Sequence, residues 1–390
     1  VNVETRSSAQ CRLPLVGLSA LAVAGFLTIL TEALPAGLLP RMSADLEVSE
    51  SMVGQLVTVY ALGSLLAAIP LTAATRGWRR RRLLMLAVGG FLVVNAVTAL
   101  SHSYVLTLVA RFGAGVFAGL VWALLAGYAG RMVDEPLRGR AIAVAMVGTP
   151  LALSIGIPAG TLLGGIIGWR AVFLIMSGLS LLLVAWVGWK VPDFPGETGT
   201  DRKSLSEVLA LTGLRTVLAT TFGFVLAHNI LYTYIAPFLE RAGLITRIDA
   251  VLLVFGVAAL AGIWLIGAHI DRKLRTLTLA SITLFAVAAL ALGLFGSMPW
   301  LVLAAITAWG LAFGGAATLF QTASTRVSGE AADVAQSMVV TVWNLAIAGG
   351  GLAGGLVLQS QGPGALPWSL LALLVVTGWV AFNPRAGFRN

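Results

Sequence analysis

LPLVGLSALAVAGFLTILTEALPAGLL, from Leu13 to Leu39, runs for 27 residues with a single charge, Glu32. About 20 apolar residues cross a bilayer core of roughly 30 Å as a helix, so this stretch reads as a spanning helix. It is too long for the apolar region of a signal peptide, and eleven more runs follow it, so it reads as a retained span. A charge at the bilayer centre costs at least ~2.5–3.5 kcal/mol and is usually functional. A second charge of this kind, Arg111, lies in the apolar run from Tyr104 to Gly130. With a cytoplasmic N-terminus the first helix runs outward and the fourth runs inward. Glu32 lies seven residues before Leu39 and Arg111 seven after Tyr104. At 1.5 Å per residue both sit roughly 10 Å below the outer face, so a carboxylate and a guanidinium are expected to pair there.

The composition agrees with a membrane class. The chain has 390 residues, 58% of them hydrophobic and 11% charged, against about 25% charged in a soluble domain. Backbone polar groups in lipid allow only helices or closed barrels. The runs are too long and too continuously apolar for barrel strands, which alternate. The fold class is therefore all-α. One cysteine, Cys11, excludes an internal disulfide and a cysteine metal cluster. The net charge of +9 is explained by basic loops on the cytoplasmic side rather than by nucleic-acid binding.

Twelve spans are expected, at 13–39, 51–73, 83–101, 104–130, 141–166, 171–190, 216–239, 249–269, 276–296, 299–322, 335–358 and 366–382. The one long connection, 191–215, holds Pro192, Pro195, Gly196 and Gly199. It then offers Ser204-x-x-Glu207 before an apolar pair, which is the start signal of a short surface helix. The chain thus divides into a six-helix bundle over residues 1–190, a linker over 191–215 and a second bundle over 216–390. Of the 25 Lys and Arg, 20 fall on the side of the N-terminus, 4 on the other side, and Arg111 in the membrane. That bias puts both termini and the linker in the cytoplasm.

The two bundles carry matching features. Arg76 to Arg82 follow the second span, and Gly267 to Arg275, with Asp271 and Arg272, follow the eighth. The fifth span has Gly148, Ala152, Gly156, Gly160 and Gly164 at every fourth position, and the eleventh has Ala346, Gly350 and Gly354. Small stripes let helices approach closely, and paired halves are the layout of secondary transporters.

These residues resemble the major facilitator superfamily, and within it the twelve-helix drug:proton antiporters near the bacterial sugar-efflux and nucleoside-efflux members. The resemblance covers nearly the whole chain. It rests on Thr31-Glu-Ala-Leu-Pro-Ala-Gly-Leu-Leu-Pro40, Gly54-Gln-Leu-Val-Thr-Val-Tyr-Ala-Leu-Gly63 and Arg111-Phe-Gly-Ala-Gly115. It rests also on Gly156-Ile-Pro-Ala-Gly160 with Gly164, Gly168-Trp-Arg-Ala-Val-Phe173 and Tyr232-Thr-Tyr-Ile-Ala-Pro237. It implies a bacterial inner-membrane exporter, by default a monomer, that uses protons and no other cofactor. It also implies a conformational latch from Arg76, Arg79, Gly267, Asp271 and Arg272. Gly156, Pro158, Gly160 and Gly164 would be an antiporter hinge packed tightly against proton leak. One departure matters: Leu71 and Thr75 stand where the family loop has Gly and Asp, so the latch is expected to rest more on Asp271.

Each candidate has a plainer reading beside the functional one. Glu32 and Arg111 either orient two helices or carry the coupled proton. A desolvated carboxylate near a guanidinium is pulled in both directions, which suits exchange of a proton for cargo. His228, in the seventh span beside Asn229, is either a bonded structural residue or a second titrating or cargo-contacting group. Asn95, Gln321 and Asn344 either bond neighbouring helices, at ~0.6 kcal/mol on average, or line a cavity. Trp122, Tyr232, Tyr234, Trp309, Phe313 and Trp343 lie deep enough to wall a pocket, whereas Trp78, Trp169, Trp300 and Trp368 fit the interface belt. Arginines 79–82 either latch or meet anionic lipid.

The expected activity is proton-driven export of a small organic compound by alternating access, with Glu32 as proton carrier and Arg111 as its partner. No Gly precedes Lys190, Lys203 or Lys273, so no Walker A loop serves an ATP-driven pump. Proton-coupled uptake, a membrane enzyme built on Glu32 and His228, and a non-transporting receptor are the rivals. Glu32 is the lone intramembrane acid, which favours neutral or weakly polar cargo over cations. Sugars, nucleosides and amphenicol-type drugs all remain open.

Overall fold

The computed structural model describes residues 13–68, 70–75, 77–134, 137–196, 205–382 and 387–388. Twelve of its helices are long and apolar enough to cross a membrane. In order they are spans 1 (Leu15–Leu46), 2 (Glu50–Ala67), 3 (Arg80–Leu100), 4 (Tyr104–Arg131), 5 (Arg140–Ile167) and 6 (Trp169–Lys190). Spans 7 (Leu214–Thr233), 8 (Ile245–Ile270), 9 (Arg272–Phe295), 10 (Pro299–Ser328), 11 (Val334–Gln361) and 12 (Pro363–Phe382) follow. The described residues contain no strand, so the all-α class and the count of twelve agree with the sequence reading. A short helix, Leu205–Leu209, lies within the linker; its expected cap, Ser204, lies outside the described residues. Below, the near face is the one on which span 1 begins, and the far face is its opposite.

Several boundaries differ from expectation; span 2 ends at Ala67 rather than 73 and span 7 at Thr233 rather than 239. Span 1 does not stop at Leu39 but continues to Leu46 through Pro35 and Pro40. Each proline removes one backbone hydrogen bond, and the helix continues through both. Spans 8 and 9 are two helices that meet with almost no connection, at Lys273, whose backbone is non-helical (φ −133°, ψ 31°). The expected loop there is a single-residue kink. Span 10 runs to Ser328, past the expected 322.

The glycine stripes are contact seams. A Cβ on Gly156 would meet the Phe26 ring at 2.8 Å, and one on Gly160 would meet Leu34 at 2.7 Å. Gly148 and Gly164 abut Ala22 and Leu38 in the same way, so span 5 lies flat on span 1. Its other side meets span 8, where Gly256 faces the Ser154 backbone. Span 11 repeats the arrangement: Gly350 and Gly354 face Asn229 and Tyr234 of the span 7 segment, while Gly351 faces Thr58 of span 2. Between Ala152 and Gly156 span 5 makes a π-helical turn. Pro158 explains it: its missing N–H leaves the Ser154 carbonyl without a helical donor, and such turns mark functional helices.

Both faces are tied by polar contacts. On the far face Asp45 accepts from Trp169 Nε1 at 2.8 Å and pairs with Arg170, whose second nitrogen donates to the Ser101 carbonyl at 3.1 Å. Gly168 turns the chain into span 6 with φ 87°, a left-handed conformation that suits glycine. On the near face Arg79 donates to Asp193 at 2.6 Å, and the Arg81 amide donates to the same carboxylate at 3.2 Å. Tyr128 donates to the Pro192 carbonyl at 2.6 Å and packs edge-on against Phe194. The chain after span 6 is thereby bound to the ends of spans 3 and 4.

Candidate functional site

Glu32 and Arg111 meet, but not as the pair expected. Arg111 is fully buried. One guanidinium nitrogen donates to the Thr31 carbonyl at 2.5 Å and another to the Glu32 carbonyl at 3.1 Å. No carboxylate forms an ion pair with it among the described residues. Pro35 supplies the reason. It stands four residues after Thr31 and has no N–H, so the Thr31 carbonyl lacks its helical donor. A buried unpaired carbonyl costs about 1–3 kcal/mol, and the guanidinium removes that cost with a charge-assisted bond. The equal depths inferred from helix ends were a coincidence of counting, because span 1 overhangs Leu39 by seven residues.

The rest of this polar group comes from spans 1, 2 and 3. The Arg111 guanidinium lies 4.8 Å from the centroid of the Tyr60 ring, whose hydroxyl donates to the Thr28 carbonyl at 3.0 Å. Asn95 is buried and donates to Thr31 Oγ1 at 3.3 Å. Its Oδ1 and the Arg111 Nε are buried without a hydrogen-bond partner among the described residues. The Glu32 side chain, by contrast, is only partly buried. Its carboxylate is within electrostatic reach of Arg111, Tyr60 and, from span 7, Tyr232. Glu32 thus lies close to the seam between the first six spans and the last six.

Across that seam Tyr232 leads into an aromatic group. The His228 ring stacks on Phe313 (centroids 3.5 Å apart, planes 7° apart) and on Tyr232 (5.0 Å, 24°). Trp309 and Phe255 close its edges at 5.3 and 5.8 Å. Trp343 joins through Phe313 at 6.2 Å. His228 Nδ1 and Trp309 Nε1 are both buried without a partner among the described residues. Five of the sequence candidates thus converge: His228, Tyr232, Trp309, Phe313 and Trp343. Phe255 was not among them; it sits in an unbroken apolar run and carries no polar signal.

Other candidates sit elsewhere. Tyr234 is fully buried two residues on but belongs to a far-face seal. Its hydroxyl donates to the Gly351 carbonyl at 2.7 Å and accepts from Gln55 Nε2 at 3.3 Å. Gln55 also donates to the Gly351 carbonyl at 3.3 Å. Gly54, Gly354 and Gly355 give the ring its room. Asn229 and Asn344 donate to carbonyls of their own helices, those of Val225 (2.9 Å) and Val340 (3.0 Å). Trp122 packs near Gly25 of span 1, away from the aromatic group. The Gln321 carbonyl accepts from Gln336 at 2.8 Å near the near-face end of span 10. Of the latch residues, Arg79 is engaged by Asp193, while Gly267 and Arg272 are exposed. Arg76 and the Asp271 side chain lie outside the described residues.

The sequence pattern of the Major Facilitator Superfamily matches residues 21–351. Purine ribonucleoside efflux pumps NepI of Salmonella paratyphi C and Salmonella choleraesuis are 31% identical over 374 residues, covering 94% of both chains. The fold is similar to that of a bacterial homolog of the human lysosomal transporter Spinster, solved in an inward-facing and unoccupied conformation. That match has a TM-score of 0.71 and 16% identity over 97% of this chain and 98% of the other. The chain belongs to the major facilitator superfamily and is a multi-pass membrane transporter, not an enzyme.

Proposed function

We propose that the protein is a proton-coupled exporter that moves a small, neutral organic compound out of the cytoplasm by alternating access. One observation carries the reading: two guanidinium nitrogens of Arg111 donate to backbone carbonyls and none to a carboxylate among the described residues, which leaves the partly buried Glu32 carboxylate able to gain and lose a proton at the seam. Protonation from one side and release to the other then tie the proton to the movement of the two six-helix bundles, residues 1–190 and 216–390, about the linker.

Direction is supported by three features. The basic face is read as cytoplasmic, with both termini on it, in a bacterial inner membrane. The close seam of spans 1 and 5 suits an antiporter. The relatives are named as efflux pumps. Cross-bundle contacts at Gln55–Gly351, Tyr234–Ser51 and Gly256–Ser154 lie toward the far face or mid-depth, which corresponds to a state closed to the outside. Purine ribonucleosides, the cargo in the relatives' name, are the first class to test. No metal or organic cofactor is required.

The test is uptake of radiolabelled inosine into inverted membrane vesicles with an imposed pH gradient, acid inside. Accumulation that collapses with the gradient supports export. Accumulation in right-side-out vesicles under an inward proton gradient instead establishes uptake.

A further inference from the structure

The aromatic group is built like a slot for one flat ring, and at present a side chain fills it. His228 lies between Phe313 at 3.5 Å and Tyr232 at 5.0 Å, with both neighbours nearly parallel to it. Phe255 and Trp309 stand tilted at its edges. Two polar atoms in this group are buried and bond to nothing among the described residues: the donor Trp309 Nε1 and the ring nitrogen His228 Nδ1. A buried polar atom without a partner is destabilising, and Trp is normally placed where its N–H finds an acceptor. A core built only for packing would have used apolar rings here. The cost is recovered if a ligand brings an acceptor for Trp309 and a partner for His228.

We propose that this slot is the recognition site for a planar heteroaromatic ring of the cargo, and that the His228 imidazole occupies it until the cargo arrives. The imidazole swings aside, the cargo ring stacks between Phe313 and Tyr232, and a ring nitrogen or carbonyl oxygen accepts from Trp309 Nε1. Stacking supplies affinity that tolerates the identity of the ring, and the Trp309 bond selects for an acceptor on its edge. Tyr232, which forms one wall, is also within electrostatic reach of Glu32 across the seam. Filling the slot therefore acts next to the acid, which gives cargo and proton a shared boundary. This inference rests on the exporter reading for its site, but it can fail separately from it.

The experiment is equilibrium binding to purified full-length protein in nanodiscs, with inosine, hypoxanthine, D-ribose and chloramphenicol as probes. Wild type, Trp309→Phe, His228→Ala and Phe313→Ala are compared, and monodispersity on gel filtration checks each fold. Inosine and hypoxanthine are expected to bind, and D-ribose to bind at least 10-fold more weakly. Trp309→Phe keeps the edge ring and removes the donor, so purine affinity falls about 3- to 10-fold. Phe313→Ala removes a wall, with a loss of 10-fold or more. His228→Ala empties the slot, and hypoxanthine binds as tightly as to wild type or more so. Absence of purine binding, D-ribose bound as tightly as inosine, no response to Trp309→Phe, or a 10-fold loss in His228→Ala each overturns the slot. Proton release is measured on the same samples. A probe that releases protons equally from wild type and Trp309→Phe leaves the exporter reading intact while removing the slot. Purine binding without proton release does the reverse.

Discussion

Arg111 holds Glu32 by its backbone and leaves its carboxylate without an ion pair among the described residues: the guanidinium donates to the Glu32 carbonyl at 3.1 Å and to the Thr31 carbonyl at 2.5 Å. The arginine repairs the gap that Pro35 makes in span 1. Arg111→Met should therefore destabilise the protein by about 1–3 kcal/mol, the cost of an unpaired buried carbonyl. Pro35→Ala returns an N–H to Thr31. In that background the cost of Arg111→Met should shrink by about 1 kcal/mol, a coupling typical of contacting residues. Thermal unfolding midpoints of the four proteins form the double-mutant cycle. Additive shifts would sink this account of Arg111.

The far-face seal makes a second prediction. Tyr234 joins span 2 to span 11 through Ser51, Gln55 and Gly351, and glycines 54, 354 and 355 make way for its ring. Tyr234→Phe keeps the ring and loses the hydroxyl bonds, each worth about 0.5–1.5 kcal/mol. The population open at the far face should rise roughly 3- to 10-fold. A reporter is Thr58→Cys, set against Gly351 behind the seal, in a background with Cys11, the only cysteine, replaced by Ser. Its labelling by an impermeant maleimide from the far face should accelerate by that factor. An unchanged rate would mean that the tyrosine is packing alone.

Gly54→Val tests the same seal from the other direction. The added side chain collides with the Tyr234 ring, so the closed state is disfavoured and transport should be lost while the protein still folds. Normal transport in Gly54→Val would show that the seal does not form in the working cycle.

Asp193 makes a pH prediction on the near face. Burial pushes its carboxyl up, but the bonds from Arg79 and the Arg81 amide and the charges of both arginines outweigh this and hold it below its ordinary value. A depressed native pKa contributes stability that is fully present above the unfolded-state value and is lost only as pH falls through the native one. Hydrogen exchange of residues 191–196 should thus be equally slow in its opening equilibrium at pH 7 and pH 5, and should loosen below about 4. Asp193→Asn should show the loosened state at pH 7. Loosening already at pH 5 in wild type would contradict the clamp.

Much of the fold was legible because lipid permits so few solutions. Twelve apolar runs of spanning length show the twelve helices directly, and the stripe from Gly148 to Gly164 announces its seam by spacing alone. The details that escaped were backbone effects. Span 1 is expected to end at Leu39, just before Pro40, yet the helix runs on to Leu46, and Arg111 supplies a donor for the carbonyl that Pro35 leaves open. The pairing of Glu32 with Arg111 was read from charge. Charge counting does not see carbonyls, although a proline four residues after Thr31 was the available clue. Tyr234 and Tyr232 looked alike in sequence. A break in the helix after Thr233 (Tyr234 φ −113°, ψ 31°) turns one toward the seal with span 2 and leaves the other against His228.

The central claim is that Glu32 carries the coupled proton. The direct measurement is proton release on adding inosine to purified protein in weakly buffered detergent solution, wild type beside Glu32→Gln, with binding measured in parallel. The account predicts that wild type releases protons as it binds and that Glu32→Gln binds without release. Equal release from both proteins would contradict it and move the search for the carrier to His228.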